Sequence, residues 1–330
     1  MFENKTALPR YHLSSKLITA IFCLLCLNAT SLLANLNRAL WVWDAECITN
    51  TTKRSDLFDF CVDKGINTIL IFTGSAFIDP SDPVYASKHP VTNPQLGSFN
   101  INAHALGILV YAIDGDPSFC LNSNHSKAVG RIQKALTFQY NQAANARLDG
   151  FQWDIEPHGL SAWSTASSQQ KRNYMNGLLL VAEKLTNEVK DAVPELPIGF
   201  TIPFWYDNPE YIRSFNGSTK ETTFHLFDVV SQADFSEICI MAYRDESSSS
   251  FSLAANEYDY AKYSTPNVKI WHGLETGPFS PEYITFHEEG ETHLESSISQ
   301  LDNLLNPYQA PNADVVAGVA IHAYNYYGTW

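Results

Sequence analysis

Charge is scarce in this chain, and positive charge most of all. Asp, Glu, Lys and Arg make up 17 % of the 330 residues, with 21 Lys and Arg against 35 Asp and Glu. The formal net charge of −14 repels phosphate backbones and excludes nucleic acid as the main partner. A charged fraction this low, beside 45 % hydrophobic residues, excludes a disordered tail protein and allows a sizeable core. No Gly-rich phosphate-binding turn opens any helix-like segment, which argues against a dinucleotide-binding sheet. The 10 His include no H-E-x-x-H helix and no H-x-H pair on the first strand. A metal-dependent hydrolase is left with scattered candidates, His158, His272 and His322, and no cofactor is implied. No internal repeat and no linker is found, hence no second domain.

Cysteine is also sparse, 6 in all. Cys23 and Cys26 fall in an apolar N-terminal run, and the spacing of Cys47, Cys61, Cys120 and Cys239 fits no zinc pattern. A local Cys47–Cys61 disulfide is an expectation, with Cys239 a buried thiol in a strand. The N-terminus itself reads as a targeting segment over residues 1–34. Lys5, Arg10 and Lys16 give a basic start, Leu17 to Leu27 an apolar run too short for a comfortable bilayer span, and Ala29, Ser31 and Ala34 small residues for cleavage. The expectation is a secreted or periplasmic monomer with no stable membrane insertion after cleavage.

From residue 35 onward, eight β-type runs alternate with helical stretches. The runs are 39–46, 66–74, 106–115, 148–157, 197–207, 237–245, 268–276 and 315–324, rich in Ile, Val, Phe, Trp and Tyr and often apolar on both faces. Helix-period segments occupy 55–64, 127–147, 169–193 and 291–305, and Pro194 ends the longest. This pattern predicts a (β/α)8 barrel over 35–330. The stretch 74–105, with Pro80, Pro83, Pro90 and Pro94, is predicted to be a long loop walling the cleft. Glu246 and the four serines after it are predicted to be a flexible patch, and a full eighth helix is missing.

A barrel places its chemistry at the C-terminal ends of its strands. The sharpest such end is DGFQWDIEP, the fourth. Strand side chains alternate, so Gln152, Asp154 and Glu156 share one face while Trp153 and Ile155 face the helices. Three polar groups turned into a packed barrel are costly unless they serve a site. Two neighbouring carboxylates oppose double ionisation, which makes Glu156 a protonated acid and Asp154 its charged partner. Glycoside hydrolysis needs that division: one acid for the leaving oxygen, one carboxylate for the positive charge at the sugar carbon. Other strand ends offer Asp44, Asp114, Trp205, Asp207, Tyr243, Asp245, Glu275, His322, Tyr324 and Trp330. Asp207 is expected to cap the next helix, and Trp43 to pack rather than to stack on sugar.

Asp149-Gly-Phe-Gln152-Trp-Asp154-Ile-Glu156 resembles the D-G-x-D-x-D-x-E strand-four motif of chitinase-like glycoside hydrolases of family 18. Met241-Ala-Tyr243 resembles that family's M-x-Y motif of strand six. The resemblance implies Glu156 as acid/base and Asp154 as stabiliser of the ring formed when the substrate's N-acetyl oxygen attacks the sugar carbon. It implies Tyr243 as the residue holding the acetamido group. Gln152 stands where the family has Asp, His322 where it has a Trp that floors the sugar site, and Arg244 where a polar or acidic residue is usual. Gln152, Glu275, Trp205, Asp44, His322 and Trp330 are the expected substrate-binding residues, and an oligo- or polysaccharide, with an N-acetylated sugar, is the expected substrate. Two other readings stand beside this one. A retaining glycosidase would use Glu156 with Glu275 as nucleophile, which needs the two carboxyls ~5–5.5 Å apart. A non-catalytic carbohydrate-binding barrel would use the same cleft without turnover.

Overall fold

The eight runs form eight parallel strands, β1 (Arg38–Val42), β2 (Thr68–Phe72), β3 (Leu109–Asp114), β4 (Gly150–Trp153), β5 (Ile198–Pro203), β6 (Ser236–Met241), β7 (Val268–Glu275) and β8 (Val316–His322). In the computed structural model, which describes residues 36–311 and 314–330, they close into one barrel in sequence order. β8 returns to β1 with Arg38 opposite Val319 and Leu40 opposite Ile321. The expected targeting segment over residues 1–34, with Cys23 and Cys26, lies outside the described residues. Among the described residues no helix is long and apolar enough to cross a membrane.

Alternation along the strands divides the core in two. Ala39, Trp41, Leu70, Tyr111, Ile113, Cys239, Trp271 and Ala320 fill the barrel interior, as inward residues must. Leu40, Val42, Ile69, Ile71, Phe151, Trp153, Ile238 and Ile240 face the helix layer. Beyond the single turn Glu46–Thr49, the α-helices are α1 (Thr51–Asp63), α2 (Asn93–Ala105), α3 (His125–Asn141), α4 (Ser168–Val189), α5 (Thr222–Val230), α6 (Ser247–Ser264), α7 (Glu291–Leu305) and a second single turn, α8 (Tyr324–Tyr327). α4 starts at a capping box in which Ser167 and Gln170 satisfy each other's backbone N–H, and its Leu178, Leu179, Ala182 and Leu185 are buried.

Three expectations change, and one element is new. The segment after β2 is not loop throughout: Thr92 and Gln95 form a capping box, Pro94 sits in the first turn where it lacks only an unneeded donor, and α2 runs from there. The serines after Glu246 are the first turn of α6, an 18-residue helix held by buried Ala254, Tyr258 and Ala261. Cys47 and Cys61 are both buried and unbridged, and burial pushes each thiol up to about 12. A short hairpin, Arg213–Phe215 with Ser218–Lys220, projects between β5 and α5.

Candidate active site

The C-terminal mouth of the barrel holds a cleft of about 370 Å³. β1 supplies Trp41 and Trp43; the end of β4 supplies Asp154, Glu156 and His158; β5 supplies Thr201, Pro203, Phe204 and Trp205. Met241, Tyr243 and Arg244 follow from β6, Glu275 from β7, His322 from β8, and Phe279 and Ile284 from the loop after β7. β2, β3 and the segment 74–105 contribute nothing to this lining. That segment instead packs over α3, where Phe77, Asp79, Ser81, Asp82 and Pro83 line a separate groove.

Asp154 continues β4 beyond its last strand residue, its N–H donating to the Asp114 carbonyl at 2.9 Å. Gly115 permits that approach, because a Cβ there would overlap the Asp154 carbonyl. Asp154 Oδ1 is buried with no protein partner. Burial raises its carboxyl to about 6. Glu156 rises further, to about 8, from burial first and the Asp154 charge second. The pair therefore shares one proton near neutrality, with Glu156 the better holder.

His158 stands next to this pair, with Nε2 3.5 Å from Glu156 Oε1 and Nδ1 3.0 Å from the hydroxyl of fully buried Tyr206. Its ring lies edge-on to Trp205 at 5.1 Å, and burial lowers its pKa. On the opposite wall the Trp43 indole N–H donates to His322 Nε2 at 2.9 Å. An indole nitrogen is a donor only, so Nε2 is the accepting nitrogen and the proton sits on Nδ1. That Nδ1 donates to Glu275 Oε2 at 2.9 Å, while Glu275 Oε1 accepts from the N–H groups of Thr276 at 2.9 Å and Gly277 at 2.6 Å. Both oxygens of Glu275 are thus engaged within the protein.

The structure brings together Asp154, Glu156, Tyr243, Trp205, Glu275 and His322 from the expected set. It leaves out three. Gln152 is on the expected face but one layer too deep: it is fully buried, donates to Thr201 Oγ1 at 3.0 Å, and occupies space that only a glycine at 199 leaves open. Asp44 lies outside the lining, paired with Lys53 at 2.7 Å and accepting from the Glu46 N–H at 2.9 Å. Trp330 packs its ring on Tyr327, with centroids 5.4 Å apart, and is 38 % exposed away from the cleft. Tyr324 packs on Phe60. Asp114 is a buried partner of Arg131 at 2.7 Å rather than a sugar ligand. Asp207 caps no helix and accepts from Asn256 at 3.3 Å. Of the other candidate histidines, His272 is buried against Ser250 and away from the cleft, and among the described residues no group of three or more His, Cys, Asp or Glu could hold a metal ion.

Trp41, Trp43, Phe204, Phe279 and Ile284 are lining residues the sequence reading missed or assigned to packing. The two tryptophans carried a signal, since residues two apart on one strand share a face with the barrel interior. Phe279 and Ile284 come from an irregular loop and carried none.

No family model matches the chain, and no curated protein matches it in sequence. Solved structures match it through their fold. A family 1 β-glucosidase from Thermotoga maritima aligns with a TM-score of 0.56 over 88 % of each chain at 8 % identity. β-Glucosidase 2 from the fungus Trichoderma reesei aligns at 0.54, over 88 % of this chain and 89 % of that one, at 9 % identity. A GH18 chitinase from Cycas revoluta in complex with (GlcNAc)3 aligns at 0.47, over 88 % and 95 %, at 10 % identity. At these identities the likeness establishes the (β/α)8 barrel and no more.

Proposed function

We propose that this chain is a glycoside hydrolase of the barrel type, with Glu156 as general acid and base. One observation carries the reading: Glu156 and Asp154 share a buried cleft mouth, and burial with mutual repulsion holds Glu156 protonated up to about pH 8. Glu156 donates its proton to the glycosidic oxygen as the bond to the sugar carbon breaks. For an N-acetylated sugar, the acetamido carbonyl oxygen closes onto that carbon, and the ring so formed carries the positive charge. Asp154, ionised and in the same lining, accepts the amide N–H and stabilises that charge. Tyr243, in the same lining, orients the acetamido group. Water then attacks the sugar carbon and gives its proton to Glu156, which restores both groups.

Trp205 is the sugar-facing ring of this reading, His322 and Glu275 form its far wall, and the basic, apolar N-terminal run makes the enzyme an exported one. Glu275 is assigned the holding of His322, because three donors already occupy its oxygens. The test is turnover of aryl glycosides and oligosaccharides with and without the N-acetyl group. Cleavage of the N-acetylated set supports the mechanism; cleavage of plain hexosides alone overturns substrate assistance.

A further inference from the structure

Among the described residues Arg244 is the single Lys or Arg that lines the cleft, whose lining also holds Asp154, Glu156 and Glu275. Its guanidinium carbon sits 5.5 Å from the Phe204 ring centroid and 5.1 Å from that of Tyr283. One nitrogen, Nη1, donates to the Tyr243 carbonyl at 2.6 Å. No Asp or Glu of the described residues pairs with it, a condition it shares with arginines such as half-buried Arg147 and buried Arg213 but which only Arg244 combines with a place in the cleft lining.

Two aromatic faces and one hydrogen bond hold this guanidinium without spending its fork. A guanidinium has five N–H donors in a plane, and the geometry that satisfies several at once is a carboxylate or sulfate. Rings that fix the cation in advance lower the ordering cost of binding such a group. A neutral glycan has no need of this arrangement, whereas an anionic one needs it to offset the surrounding carboxylates.

Resting on the glycosidase reading above, we propose that Arg244 makes the cleft selective for an anionic glycan, by pairing with a sugar carboxylate or O-sulfate. The probes are D-glucose, D-glucuronate and D-glucose 6-sulfate, titrated against the fluorescence of the cleft tryptophans Trp43 and Trp205. At least one anionic sugar is expected to saturate at a concentration about tenfold below D-glucose, as one charge-assisted pair provides, and to weaken with added salt. Whichever anionic sugar does so identifies the group. Arg244→Gln is expected to erase the difference while leaving D-glucose within about twofold, and Arg244→Lys to restore only part of it. Saturation by neither anionic sugar, or equal weakening of all three in Arg244→Gln with its near-UV circular dichroism intact, overturns the proposal and makes Arg244 a pillar between rings. Turnover decides the underlying reading separately. Anion selectivity without hydrolysis of any glycan sinks the glycosidase and keeps the seat; hydrolysis without anion selectivity does the reverse.

Discussion

The barrel buries carboxylates at both ends, and the two ends treat them differently. Near the N-terminal end, Glu237 of β6 accepts from the Trp271 indole at 2.6 Å and the Tyr111 hydroxyl at 3.1 Å. Burial raises its pKa, and those two donors hold it back. At the C-terminal mouth, Asp154 keeps an oxygen without a protein partner and Glu156 has an acid for a neighbour. The same burial therefore yields a finished hydrogen-bond network in one place and an unfinished one in the other. Glu257 on α6 shows that incompleteness alone makes no site: both its oxygens lack partners, yet it lines no part of the cleft. What distinguishes the mouth is unfinished acids together with a cavity of substrate size.

The comparison breaks most sharply on activity. Glu156→Gln is expected to lower kcat ~10³-fold with sugar binding retained, whereas a substitution at Glu237 leaves kcat per folded molecule unchanged. Steady-state kinetics beside equilibrium binding measures both, and a large kcat loss at Glu237 would erase the distinction between the ends. Next in size is Glu275→Gln with azide. Little rescue and no inverted product is expected if Glu275 only holds His322; azide rescue giving inverted product would make it the nucleophile.

Stability should sort the two ends the other way. Glu237→Ala strands two buried donors and is expected to cost about 2–3 kcal/mol in urea unfolding. Glu156→Gln is expected to stabilise at alkaline pH. The folded state raises Glu156 from 4.5 to about 8, so its contribution is complete below pH 4.5 and is lost as pH rises through about 8. The carboxyl is 29 % exposed, which limits the gain of the variant at pH 9 to about 1–2 kcal/mol, vanishing at pH 4. Paired melting curves at the two pH values check it.

Much of this was legible in the residues, for identifiable reasons. Buried parallel strands are apolar on both faces, so all eight stood out, and the alternation in Gln152-Trp153-Asp154-Ile155-Glu156 gave the inward set. Alternation cannot give depth, which is why Gln152 proved to be beneath the floor rather than in it. α6 was hidden because serines are weak helix formers and its apolar face is interrupted; packing of Tyr258 and Ala261 decides it. α2 was hidden behind a run of prolines, the last of which, Pro94, lies within its first turn. The Trp43–His322–Glu275 chain joins three strands remote in sequence, and no local pattern encodes such a contact.

The central claim is that the mouth holds a split pair of acids, and it is open to direct titration. Carbon-13 NMR of glutamate-labelled protein, wild type against Glu156→Gln, follows each carboxyl through pH. One resonance titrating at about 8 and absent from the variant is the expected result. If the resonance that disappears in Glu156→Gln instead titrates in the ordinary carboxylate range, Glu156 is ionised at neutrality and cannot serve as the acid.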